Sequence, residues 1–169
     1  MTQIVTSVAA GQSVRVSLPL CRSGLGLGTP VMTADGALPV EFIEPGERVV
    51  TFDAGMQRLD RITVRLVAAC EMIRIRPSVL DDDYGRDVVI SARQKLLIRD
   101  WRAEALFGTK AALVEARRLA DGAYIARMQG RAPVRLFQLH FADAQHVVQL
   151  GQGLMATSAA MPRKRVVAH

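Results

Sequence analysis

Val40-Glu41-Phe42-Ile43-Glu44-Pro45-Gly46-Glu47-Arg48-Val49-Val50 has a counterpart later in the chain, Val114-Glu115-Ala116-Arg117-Arg118-Leu119-Ala120-Asp121-Gly122-Ala123-Tyr124-Ile125. Each copy reads as a Val-Glu pair, a short turn, a glycine and a strand, with two extra residues before the glycine in the second copy. Outward from these two stretches, short runs rich in Val, Ile and Leu alternate in polarity and stop at Gly, Pro or Asp, which is the pattern of half-buried strands. The runs predict strands at 4–8, 13–18, 31–33, 48–52, 61–67, 72–76, 88–91, 95–98, 124–127, 134–141 and 146–150. Turn chemistry separates them, as in Ala34-Asp35-Gly36, Asp53-Ala54-Gly55 and Gln129-Gly130. Only 102–107 and 115–119 look helical, each one or two turns long. The expected fold is mainly β, built from two repeated units related by a pseudo-twofold axis.

The 169 residues are 50% hydrophobic, 22% charged and 5% aromatic, the balance of one globular domain. No apolar run approaches the roughly 18 residues of a membrane span. The first residues lack a basic stretch before an apolar one, and Gln12, Ser13 and Arg15 break the run that an apolar leader core would need. Neither a signal peptide nor export by that route is expected; a cytoplasmic location is, with non-classical secretion left open. Cys21 and Cys70 are too few for a disulfide scaffold and are read as buried thiols. The net charge of +6 raises nucleic acid as a partner. Three of the 22 basic residues, however, are Arg163, Lys164 and Arg165, and without them the excess over 16 acidic residues halves to three. The body of the protein is nearly balanced, which argues against a nucleic-acid function.

Gly28-Thr29-Pro30-Val31-Met32-Thr33-Ala34-Asp35-Gly36, followed by Leu38-Pro39-Val40-Glu41 and Pro45-Gly46-Glu47-Arg48-Val49, resembles the opening of a Hint domain in its bacterial form, the module shared by hedgehog autoprocessing regions and inteins. Later segments agree in order. Arg86 to Leu97 is similar to the family's second block, Arg102 to Gly108 and Ala112 to Leu119 to the connection after it, and Leu136 to Leu154 to its last hairpin. The resemblance implies a compact, pseudo-twofold Hint-like β horseshoe with one or two short helices, over residues 24–156. Residues 1–23 would be an N-terminal β extension and 157–169 a basic C-terminal tail.

The same resemblance implies a chemistry and shows what it lacks here. In the family a thiol or hydroxyl attacks the preceding peptide carbonyl, exchanging an amide for a labile ester or thioester, and a second-block His polarises the bond or protonates the leaving nitrogen. The nucleophile's position corresponds to Gly24, which has no side chain. The histidine's position corresponds to Gln94, whose amide cannot exchange a proton near neutrality. In the last hairpin a His of the family falls at Gln145 beside His146. His146 is then either a displaced equivalent or an ordinary strand residue, and the ordinary reading is favoured. His140, in the alternating run Leu136 to Phe141, reads as an exposed or hydrogen-bonded strand residue. No asparagine occurs in the sequence, so asparagine cyclisation has no residue to act on.

Substitute nucleophiles exist in Ser23 and Cys21, one and three positions before Gly24, although a one-residue slip in a strand reverses the side chain and needs a bulge to correct it. Gly24 to Gly28 is glycine-rich but precedes a strand, where a phosphate loop needs a helix. Asp81-Asp82-Asp83 lacks the spaced ligands of a calcium loop, and no metal or cofactor is implied. Trp101 is expected to anchor the connection after the second block. The leading expectation is a Hint-like domain that is not self-processing and has a structural or interaction role, with a protein partner and oligomeric state left open. The alternatives are an autoprotease using Ser23 or Cys21, and a basic adaptor binding polyanions through its tail.

Overall fold

The structure is a computed structural model that describes residues 3–8, 12–17, 22–77 and 86–161. Cys21, Asp81 to Asp83, the Pro162–Arg165 stretch and His169 lie outside the described residues. Strands β1 (Gln3–Val8) and β2 (Gln12–Ser17) form an antiparallel hairpin. The domain proper begins with β3 (Leu25–Gly26), β4 (Pro30–Thr33), β5 (Gly36–Pro39), β6 (Arg48–Thr51), β7 (Gly55–Arg58), β8 (Arg61–Ala68) and β9 (Met72–Ile75). It continues with β10 (Val88–Ser91), β11 (Lys95–Ile98), the single described α-helix α1 (Trp101–Phe107), β12 (Ala112–Glu115), β13 (Ile125–Arg127), β14 (Pro133–His140), β15 (Val147–Gln149) and β16 (Met155–Thr157).

Two antiparallel sheets result. One runs β13-β9-β10-β3-β14-β8 and the other β12-β11-β16-β15-β6-β4-β5, with β7 paired to β6. A single cluster of buried side chains draws on both, including Ile73 and Ile90 from the first sheet and Val31, Val49, Leu96 and Val148 from the second. Among the described residues no helix is long and apolar enough to cross a membrane.

The repeat is present, but two residues out of the register read from the sequence. Val40 N–H donates to Thr29 O and Ala116 N–H to Gln94 O, each at 2.9 Å. Single 3₁₀ turns occupy Val40–Phe42 and Ala116–Arg118, entered from Pro39 and Glu115 in nearly the same extended conformation. Val40 therefore corresponds to Ala116, and Val114 to Leu38. In this register the spacing to the next glycine becomes identical, Val40 to Gly46 and Ala116 to Gly122, and both glycines have left-handed φ, 94° and 79°. The two apparent extra residues vanish. The hairpins β4–β5 and β11–β12 are the matching arms.

Several sequence expectations are corrected. The 115–119 stretch is the end of β12 and one 3₁₀ turn rather than an α-helix, because Glu115 completes the pairing with Lys95. The helix at 102–107 forms, capped by Asp100, whose carboxylate accepts from Arg102 N–H. Trp101 does not anchor that connection: it is 75% exposed, and the helix buries Ala103 instead. Cys70 is half-buried rather than buried.

At the centre of the first sheet, β3 has only two residues, and its ladder to β10 consists of the pair Leu25 and Ile90. The side chain of Thr29 continues that ladder. Its Oγ1 donates to Val89 O at 2.7 Å and accepts from Val89 N–H at 3.0 Å, satisfying both backbone groups of one β10 residue. Thr29 is fully buried, so no water can replace it. Thr29→Val keeps the shape and orphans both groups, and is expected to cost about 2 kcal/mol in urea unfolding. Thr29→Ser should retain most of the stability, and equal losses for the two variants would refute this role for the hydroxyl.

Candidate functional site

The chain enters the domain through Ser23 and Gly24, and the turn between β10 and β11 brings Gln94 beside them. That turn is closed by Gln94 N–H donating to Ser91 O at 2.9 Å. Ser23, Gly24 and Gln94 line one small cavity together with Gln138, Thr157 and Ser158, among others. The free space inside is about 10 Å³, the lower limit for a single water molecule. No substrate fits there other than the chain itself.

Gly24 is held by packing. Its carbonyl accepts from Ser91 N–H at 3.0 Å, and a Cβ at this position would lie 2.6 Å from Leu136 Cγ and 2.9 Å from Phe137 O. A leucine side chain can rotate away, but a backbone oxygen cannot move without the strand that carries it. Glycine is thus the residue this packing accepts. Gly26, two residues on, is enclosed in the same way by Val89.

Gln94 is 1% exposed, and its Nε2 donates toward Thr157 O at 2.8 Å, Lys95 O at 3.0 Å and Thr157 Oγ1 at 3.2 Å. Its two N–H groups are committed to β16 and to its own strand. No buried side-chain nitrogen or oxygen among the described residues lacks a partner. Gln138, from β14, donates Nε2–H to Ser23 O at 2.8 Å. This is the carbonyl of the peptide bond preceding Gly24, the bond that a side chain at 24 would attack. Ser23 itself is half-buried at the cavity wall.

His146 is not one of this cavity's lining residues. It lies just before β15, 5% exposed, and joins the site through its backbone: Ser158 Oγ accepts its N–H at 2.9 Å, and Ser158 N–H donates to its carbonyl at 2.8 Å. The ring makes a different set of contacts. Nδ1 is 2.9 Å from Asp53 Oδ2, Nε2 is 3.2 Å from Asp143 Oδ1, and the Phe141 ring meets the imidazole edge-on at 5.0 Å. Burial opposes a charge on this imidazole, but the hydrogen bonds and negative charges of Asp53 and Asp143 outweigh it and raise its pKa above 6.5. Burial likewise pushes Asp53 up, and the Val147 N–H and His146 more than reverse that, leaving its carboxyl below 3.8. The two carboxylates thus favour the protonated form of the His146 imidazole, which ties the turn at Asp53 and the loop at Asp143 together.

Asp53 has no counterpart among the sequence candidates, where Asp53-Ala54-Gly55 read only as a turn. It is in that turn, and its second oxygen accepts from Val147 N–H at 2.8 Å, tying the turn after β6 to β15. His140 behaves as expected of a hydrogen-bonded strand residue, with Nε2 2.8 Å from Thr63 Oγ1. Gln145 donates Nε2–H to Ser158 O and stays outside the cavity. Among the described residues no three His, Cys, Asp or Glu side chains are grouped to hold a metal ion.

Two antiparallel sheets built around two matching hairpins, with the entering chain and the turn before β11 brought to one small cavity, define the architecture, and comparison with known proteins makes the class specific. A Hint-domain profile matches residues 24–162, and the chain belongs to that family. Among solved structures, a bacterial intein-like domain from Clostridium thermocellum superposes with a TM-score of 0.56 at 14% identity, covering 80% of this chain and 99% of that one. A splice-inactive variant of the AceL NrdHF class 3 split intein superposes with a TM-score of 0.51 at 14% identity, covering 82% and 99%. No curated protein sequence matches.

The His146 cluster sets a pH dependence. A group whose pKa is raised on folding stabilises fully below its unfolded value of 6.5 and loses that contribution as pH rises through its folded value. The lowered carboxyls of Asp53 and Asp143 stabilise above 3.8 and lose their contribution as pH falls through their folded values. The cluster's contribution to the melting temperature is therefore greatest between those limits. His146→Gln should flatten the alkaline decline, and an unchanged profile above pH 6.5 would show that the imidazole is neutral.

Proposed function

We propose that this Hint domain does not cleave itself through the family's route and serves as a scaffold for contact with another protein. The observation that carries this reading is the closure of the central cavity around Gly24 and Gln94. An acyl shift needs a nucleophile next to the scissile carbonyl and a group to protonate the departing nitrogen. Gly24 offers no nucleophile, and the space its side chain would occupy is filled by Leu136 and by Phe137 O. The Gln94 amide does not ionise near neutrality and so cannot act as a general acid, and its N–H groups point at Thr157 and Lys95. General acid–base assistance alone is worth about 10² to 10⁴-fold, and both functions are missing here.

One element of the chemistry is retained. Gln138 hydrogen-bonds the Ser23 carbonyl, as a donor polarising an attacked carbonyl would. It does not serve Ser23 as a substitute nucleophile, because Ser23 would attack the carbonyl of Arg22, one residue earlier. His146 cannot complete the set, since both of its ring nitrogens are engaged by Asp53 and Asp143.

Freshly purified protein is expected to give a single species at the full-length mass, unchanged by incubation with thiols or hydroxylamine, reagents that intercept an ester or thioester. A break between Arg22 and Ser23 that disappears in Ser23→Ala would overturn the proposal in favour of Ser23. A break between Leu20 and Cys21 that disappears in Cys21→Ala would do so in favour of Cys21. The double variant Gly24→Cys with Gln94→His is expected to remain whole and to melt earlier than the parent, because the new Cβ displaces the β14 backbone.

A further inference from the structure

β8 is the outermost strand of the first sheet, paired along its whole length with β14 from Arg61 opposite His140 to Ala68 opposite Pro133. Among the described residues no strand pairs its other side. A free edge eight residues long offers a row of backbone N–H and C=O groups to an incoming strand. Its two faces differ in chemistry, as the period of two requires: Arg61, Thr63 and Arg65 lie on one, Ile62, Val64 and Leu66 on the other. Val64 and Leu66 are each 52% exposed.

The arginine face borders a groove of about 510 Å³ lined by Arg22, Arg61, Arg65, Arg93 and His140, with no carboxylate in its wall. Arg61, Arg65 and Arg93 are exposed, and among the described residues none of them forms an ion pair. Burial, and then the charges of Arg61 and Arg65, hold the pKa of His140 below 6.5, with Asp60 the one acidic group acting against them. The chain enters the groove at Arg22–Ser23 and leaves it at Ala159–Ala160, and in this sequence no Asp or Glu precedes Asp35 or comes after Asp143. Residues 1–34 and 144–169 thus bring no carboxylate side chain to the arginines.

We propose that the free edge of β8 binds an extended peptide in which acidic and apolar residues alternate, adding it to the sheet as a further strand. Acidic side chains would meet Arg61 and Arg65, which lie four residues and about 13 Å apart along the strand. Apolar side chains, alternating with these, would cover Val64 and Leu66. A nucleic acid is the poorer match: the groove wall has no Phe, Tyr or Trp on which bases stack, and a phosphate backbone makes no use of the strand's hydrogen-bonding groups or of the apolar face. This inference names the partner for the interaction role proposed above. It does not depend on the absence of cleavage, so the binding and intact-mass experiments fail separately.

The test is fluorescence anisotropy of the full chain with a labelled peptide of alternating Glu and Val. Binding is expected, weakening with added salt, and the same peptide with Lys for Glu should not bind. Methylating one alternating set of the peptide's backbone amides should abolish binding, while methylating the other set should not. Arg61→Glu with Arg65→Glu should weaken binding about tenfold or more, and Arg61→Gln with Arg65→Gln should weaken it less. Arg48→Glu with Arg131→Glu makes the same charge change outside the groove and should leave binding intact, with circular dichroism confirming that each variant is folded. Preference for single-stranded DNA over the acidic peptide, an equal loss in the Arg48 and Arg131 control, or indifference to both methylation patterns would overturn the proposal.

Discussion

A strand of two residues at the middle of a six-stranded sheet is the constraint on which this domain depends. β3 contributes one paired position to β10 and two to β14, too little to hold the sheet's two wings together by backbone pairing alone. Thr29 makes up the deficit by presenting a hydroxyl where the ladder would otherwise end, donating and accepting as a peptide group does. The position related to Thr29 by the internal repeat is Gln94, and it too uses its side chain to tie backbones together, reaching Thr157 on β16. The fold closes its first half onto its second at one of these points and its second half onto the C-terminal hairpin at the other.

That architecture explains why the central cavity is so small. Gly24 and Gly26 flank Leu25 and let Leu136 and Val89 approach the backbone directly, so the strand's neighbours occupy the volume where side chains would stand. Gln94 fills the opposite wall with an amide whose donors are spent on structure. The polar groups that converge there are satisfied by each other, and the site is better described as a packed junction than as a binding pocket.

Much of this was legible in the sequence, and the limits are specific. Period-two alternation located most long strands because their side chains divide cleanly between core and solvent. It missed β3, β5, β7, β12 and β16, which have four residues or fewer, and in all but β16 exposure does not alternate strictly. The repeat was visible through Val-Glu pairs, yet the true register is set by backbone conformation, with the 3₁₀ turn and the left-handed Gly46 and Gly122 as fixed points, and identical side chains at 40 and 114 misled by two positions. Gly24 and Gln94 were placed by family resemblance and Ser23 by its hydroxyl next to Gly24, and the fold brings all three to one cavity. Asp53 was illegible because an Asp before Ala-Gly is indistinguishable from any turn former until the chain entering β15 is seen to supply His146 and the Val147 N–H 93 and 94 residues later.

The crowding around Gly24 also bears on what single steps of evolution can reach. A lone mutation that installs a side chain at position 24 meets Leu136 at 2.6 Å and the Phe137 carbonyl at 2.9 Å, so its immediate effect is a less stable protein. A smaller residue at 136 would relieve only the side-chain part of that contact, since the Phe137 oxygen is backbone, and by itself it confers nothing except a cavity and its cost. Each change lowers stability on its own, and neither supplies the proton donor missing at Gln94. The position behaves as a ratchet: descendants of this sequence drift freely over the surface of the domain, while the route toward a nucleophile at its entrance passes through a fitness valley.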